Sequence, residues 1–148
     1  AGLQAANVII PNGKIRRQVY RECNATGYSN LNTLAIAATK AAYRYGGPWL
    51  DALLSYLRGN YDRLKGAFPE SGQISLIQPE GTYLAWLDCR RLGLTDSGLG
   101  DFFLNKAGVR LHLGSAFGAG GSGFVRMNIA CPQSVLLEAI SRIKTALL

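Results

Sequence analysis

The chain has 148 residues, 48% of them apolar and 17% charged, enough for one domain with a sizeable core. No apolar run reaches the roughly 18 to 20 residues that span a bilayer, and no charged stretch followed by an apolar one has the pattern of a secretory signal. The net charge of +7 comes from scattered cations, dense only between Lys14 and Arg21. A phosphate-tracking face needs several cations on one surface with base-reading side chains between them. Neither nucleic acid nor membrane is therefore expected as a partner, and a solvated surface or one facing an acidic partner accounts for the charge.

In chain order, Ala5 to Ile10 is a short apolar run ended by Pro11-Asn12-Gly13, which predicts a buried strand and a turn. The sequence opens at Ala1 within that apolar phrase, so a cut from a longer chain is expected. Val8 to Ile10 would then be an exposed apolar edge that seeks a second copy or the missing part. From Lys14 to Tyr45 the pattern is helical, broken at Asn24 to Gly27. Ser29 or Asn30 caps the segment carrying Leu31, Leu34, Ala38, Ala41 and Ala42. Gly46-Gly47 ends that helix and Pro48 suits the first turn of the next. Leu50, Leu53, Leu54, Leu57, Tyr61, Leu64 and Phe68 then form an amphipathic stripe, stopped by Pro69 to Gly72.

Beyond Gly72 the period shortens. Ile74 to Ile77 and Thr82 to Asp88 read as strands around a turn at Pro79-Glu80-Gly81. Asp96 or Ser97 caps a short helix through Leu99, Phe102 and Phe103 to Lys106, weakened by Gly98 and Gly100 and stopped by Gly108. Val109 to Leu113 is strand-like, Gly114 to Gly123 is a glycine-rich loop, and Phe124 to Ala130 is a strand. Pro132 leads into a helix with Leu136, Ile140, Ile143 and Leu147 on one face. The fold class is α/β, a small sheet packed on helices.

Cys23, Cys89 and Cys131 are widely spaced and include no CxxC or CxH pair. Neither a metal site nor a disulfide framework is expected; buried free thiols in a reducing cytoplasm are. Gly118 to Gly123 matches GxGxxG, yet the next seven residues alternate as a strand, whereas a dinucleotide loop must open a helix. Nucleotide binding is rejected. On that strand Val125, Met127 and Ile129 share the core face, while Phe124, Arg126 and Asn128 share the other. Arg126 beside Asn128 forms a fork of donors suited to a carboxylate. An arginine paired with a surface carboxylate is the other reading that these residues leave open.

The segment from Phe117 to Pro132 resembles the FGxxGxGFxRxNxAxP signature of pyridoxal-phosphate (PLP) dependent cystathionine β-lyases. So, in the same order, do Gly46-Gly47-Pro48-Trp49-Leu50-Asp51 with Leu54, Tyr56, Leu57 and Asn60, and Pro79 to Asp88. Ala1-Gly2-Leu3 is similar to the phrase that follows the Schiff-base lysine in SxSKTFNxAGL. The resemblance covers essentially the whole chain. It implies the C-terminal part of an aminotransferase-superfamily enzyme of PLP fold type I: residues 1–45 a large-domain remnant and connecting helix, residues 46–148 the small domain with a mainly antiparallel sheet.

It further implies a parent enzyme that releases thiol from cystathionine or related L-cysteine conjugates, with Arg126 holding the substrate α-carboxylate. Asn128 is a candidate beside it, and Tyr83 a candidate at the site entrance, with core packing as Tyr83's other role. Transamination on the same scaffold is the near alternative, and a stand-alone anion-binding or dimerisation module the distant one. Homodimers and a cytoplasmic location are expected. None of Lys14, Lys40, Lys65, Lys106 and Lys144 sits in a family-like setting such as SxSKTFN. No catalytic, cofactor-binding or metal-binding residue is therefore assigned here, and the fragment alone is expected to be inactive and not to bind PLP. His112-Leu113-Gly114 departs from the family's Asn-Pro-Gly, and the solitary His112 is expected to be structural filler.

Overall fold

The computed structural model describes residues 2–28 and 30–148 and divides into two compact units, Ala1–Asp51 and Ala52–Leu148. In the first unit, α1 (Gly13–Ala25) starts at Asn12, whose side chain accepts hydrogen bonds from the Lys14 and Ile15 amides. α2 (Thr33–Tyr45) is capped by Asn32, which accepts from the Leu34 amide. This corrects the expected cap at Asn30; the other candidate, Ser29, lies outside the described residues. Val8 to Ile10 also departs from expectation. No strand forms there, and Val8 and Ile9 are 74% and 89% exposed. An extended segment becomes a strand only when a neighbour satisfies its amides and carbonyls, and no described strand lies in this unit.

α3 (Gly47–Ala67) leads into the sheet of the second unit. Four strands, β1 (Ser75–Ile77), β2 (Leu84–Asp88), β3 (His112–Leu113) and β4 (Phe124–Asn128), are ordered β1-β2-β4-β3 with every pair antiparallel. The fold is thus α/β with a small sheet, as the hydrophobic periods predict, and the sheet is antiparallel, as the family resemblance implies. One sheet face carries Leu76, Ala85, Leu87, Val125 and Met127, all buried with Leu64 of α3 and with Phe68 just beyond its end. α5 (Gln133–Leu147) adds Leu136, Ile140 and Ile143 to the same core. The stripe of α3 is buried only in part: Leu57, Leu64 and Phe68 are inside, whereas Leu50 and Leu54 are exposed.

α4 (Asp96–Asp101) is capped by Thr95, whose hydroxyl accepts from the Gly98 amide, rather than by Asp96 or Ser97. The helix widens into a π-helical turn over Phe102–Lys106, where the Ala107 amide reaches the Phe102 carbonyl at 2.8 Å. The Val109 amide donates to the Phe103 carbonyl at 2.7 Å. That bond ties Val109 to the helix end, so the expected strand from Val109 shortens to His112–Leu113. Gly108 ends the helix with φ +64°, a conformation that side-chain-bearing residues rarely adopt.

The exit of β4 is held by α3. The fully buried Asn60 amide donates to the carbonyls of Ile129 at 2.9 Å and Cys131 at 3.2 Å. The Gln133 amide, at the start of α5, donates to the Tyr56 hydroxyl at 2.7 Å. Asn60→Leu would leave two carbonyls without their buried donor, a cost of about 1 to 3 kcal/mol. Urea denaturation should show a lower midpoint with an unchanged slope, and an unshifted midpoint would refute this latch.

Candidate functional site

Strand alternation puts Val125, Met127 and Ile129 in the core, each 4% exposed or less, as predicted. Arg126 lies on the opposite face at the centre of the sheet. Its register partners are Trp86 on β2 and His112 on β3, so those side chains flank it on one face. Among the described residues the Arg126 side chain makes no ion pair and no hydrogen bond. It is set against a ring instead: its guanidinium carbon lies 4.4 Å from the centroid of Phe117. Of the two readings left open by the sequence, pairing with a surface carboxylate is not the one observed.

The ring belongs to an aromatic row. Phe117 meets Trp86 edge to face with centroids 5.9 Å apart, and Trp86 stacks on Phe124 at 5.8 Å. At the far end Arg90 lies over Phe124 at 4.8 Å. Its guanidinium is bound to Asp88 through two bonds of 3.0 and 2.7 Å. The Arg90 side chain beside Asp88 holds that carboxyl below its usual range.

Phe117 is presented by two short 3-10 turns, Gly114–Phe117 and Ala119–Gly121. Gly114 and Gly121 are buried and cross so closely that a Cβ on either would run into the other's carbonyl oxygen. Asp96 closes the loop from outside. Its carboxylate accepts from the Gly123 amide at 3.0 Å and from the Ser122 hydroxyl at 3.1 to 3.2 Å. The Gly123 amide, with help from Ser122 and Ser115, holds the Asp96 carboxyl below the usual carboxylate range.

The other candidates divide. Asn128 is exposed on the Arg126 face, but its side-chain oxygen accepts from the Ala130 amide at 2.8 Å. Only its amide nitrogen stays available to an anion. Tyr83 is 46% exposed, so its core-packing role is corrected; it follows Thr82, whose φ is +65°, in an irregular turn. His112 is exposed rather than filling space, beside Arg126 because β3 is an edge strand. The cysteines are free. Cys89 is buried and its thiol is pushed up to about 12 by burial, while Cys23 is exposed, against expectation, because α1 buries none of its residues. Sequence reasoning missed Asp96, Phe117, Trp86 and the Gly114–Gly121 crossing. Two glycines seven residues apart in a loop with three more carried the only available signal of a close backbone approach.

No family model matches the chain. It is 38% identical over 148 residues to the cystathionine β-lyase PatB of Bacillus subtilis (strain 168), covering 99% of this chain and 38% of that protein. Protein MalY of Escherichia coli (strain K12) is 40% identical over 125 residues, 82% of this chain and 31% of that protein. Among solved structures, cystalysin from Treponema denticola, whose crystals contain a pyridoxal 5'-phosphate cofactor, superposes with a TM-score of 0.90 at 34% identity. The match covers 99% of this chain and 37% of that one. The fold and these matches define a segment of the aminotransferase-superfamily scaffold of PLP enzymes. Within that superfamily the chain is similar to PatB, which is named a cystathionine β-lyase. It spans only about a third of the length of these relatives.

All five lysines are exposed.

Because folding lowers the pKa of Asp96, its stabilising contribution is present above the unfolded-state value, about 3.9. It is lost as pH falls through the lower folded-state value. Asp96→Asn should lower the melting temperature at neutral pH and lessen the further loss on acidification to about pH 3. Identical melting curves for variant and natural protein at both pH values would remove Asp96 as the loop clasp.

Proposed function

We propose that the chain is the C-terminal portion of a PLP-dependent carbon–sulfur β-lyase acting on cystathionine or a related L-cysteine conjugate. In this reading Arg126 binds the substrate α-carboxylate. The observation that carries it is a central-strand arginine with no carboxylate partner among the described residues, fixed against a ring with its donors open. An arginine so placed offers a planar set of N–H groups that matches a carboxylate two to two. The matching position in the family signature has the same role, and the similarity to PatB extends across it.

The reaction removes the Cα proton, breaks the Cβ–S bond and releases a thiol; the remaining aminoacrylate takes up water to give pyruvate and ammonia. Holding the carboxylate fixes the rotation of the substrate about Cα, which decides which Cα bond is cleaved. This chain's contribution is that orientation. The lysine, and PLP as the electron sink, belong to a large domain of which residues 1–45 are the remnant and connecting helix. Residues 46–148 are the small domain. We further assign the parent protein to the cytoplasm as a homodimer, and the isolated fragment is inactive.

The test uses the upstream-extended protein loaded with PLP and L-cystathionine as substrate. Pyruvate release by that protein and not by the fragment is expected. Arg126→Ala should raise KM at least roughly 30-fold, the scale of about 2 kcal/mol for charge-assisted hydrogen bonds. Transfer of the amino group to a keto acid without pyruvate would make the parent an aminotransferase. Absence of both reactions would leave a stand-alone anion-binding or dimerisation module.

A further inference from the structure

Two arginines occupy the same sheet face and both lie over a phenylalanine ring, yet their donors differ in state. Arg90 sits 4.8 Å from the Phe124 centroid, and Asp88 accepts two hydrogen bonds from its guanidinium at 3.0 and 2.7 Å. Its charge is balanced and its donor edge is occupied. Arg126 sits 4.4 Å from the Phe117 centroid, and no carboxylate or carbonyl among the described residues takes its donors. A carboxylate would have ordered Arg126 equally well, but it would have competed with any incoming anion. A ring face attracts the cation through its quadrupole and accepts no in-plane hydrogen bond.

We propose that Phe117 is the positioning residue for Arg126, orienting the guanidinium without neutralising it and thereby setting its affinity for the substrate carboxylate. The inference rests on the assignment of Arg126 as the carboxylate-binding residue. Phe117 suits the task because it is fixed from two sides. Its ring meets Trp86 edge to face, and its backbone belongs to the turn Gly114–Phe117, whose first residue crosses Gly121. It is also 52% exposed. A ring so open adds little to the core, so a role in folding does not explain its place.

The experiment compares Phe117→Leu, Phe117→Tyr and Arg126→Ala in the upstream-extended, PLP-loaded protein, with L-cystathionine as substrate and thermal melting as the control for folding. Leucine keeps apolar bulk and removes the ring face; tyrosine keeps the face. Phe117→Leu should raise KM roughly 5- to 30-fold, the range of a partly desolvated cation–π contact, with a smaller effect on kcat. Phe117→Tyr should stay within about twofold of the natural protein.

Equal KM for Phe117→Leu and the natural protein, with Arg126→Ala still impaired, would overturn the role of Phe117 and leave the assignment of Arg126 intact. Equal impairment of Leu and Tyr variants would also overturn it, since a lost packing shape rather than a lost ring face would then be responsible. An Arg126→Ala variant with unchanged KM would overturn the assignment of Arg126 itself, and this inference with it.

Discussion

Where β4 begins decides what the polar face of the sheet presents, and the start of β4 is fixed by one close approach. Gly114 and Gly121 cross with so little room that neither tolerates a Cβ. That crossing folds seven residues of loop back on themselves, delivers Phe117 to the polar face, and sets the parity of the strand that follows. With a side-chain period of two, a slip of a single residue would send Arg126 into the core and Val125 to the surface. The same crossing explains why a GxGxxG string occurs without a nucleotide. Its glycines serve a backbone contact and a positive φ of +80° at Gly123, and no helix follows to meet a phosphate.

The loop is then closed chemically. Asp96, at the first turn of α4, accepts from the amide and hydroxyl that precede β4. Asn60 and Tyr56 of α3 hold the other end of that strand and the start of α5. β4 is therefore anchored at both ends by side chains from two helices that precede it in sequence. An arginine in the middle of such a strand has a rigid base. Rigidity at Cα is what a binding residue needs, because the long arginine side chain otherwise loses much of its interaction energy to the ordering of its rotamers.

The face assignments of β4 were legible from alternation alone, since Phe124 to Ala130 offers one apolar residue at every second position. The core residues of α5 were legible for the same reason, at helical period. The aromatic row was not. Trp86, Phe117 and Phe124 lie in three separate segments, and only the pairing Trp86 with Arg126 brings them together. Register is a long-range property, so local pattern cannot supply it. The strand expected at Val8 to Ile10 failed on the complementary ground. Its apolar, β-branched composition is real, but composition states what a segment favours and not whether a neighbour exists to pair with it.

The same distinction governs α3. Its stripe has the helical period throughout, yet Leu57, Leu64 and Phe68 are buried and Leu50 and Leu54 are 47% and 55% exposed. An amphipathic stripe reports the width of surface a helix must cover, and covering it takes a second element. In the second unit the sheet provides that element for the helix's C-terminal half. Nothing in the periodicity separates the two halves, because the residues obey one rule. The relatives that the chain matches are themselves more than twice its length. Burying a leucine that is about half exposed removes roughly 1 kcal/mol of unfavourable hydration. The exposed leucines and tyrosines of residues 28–56 thus represent several kcal/mol of apolar hydration, and any element that covered them would stabilise the chain in proportion to the apolar area it removed from water.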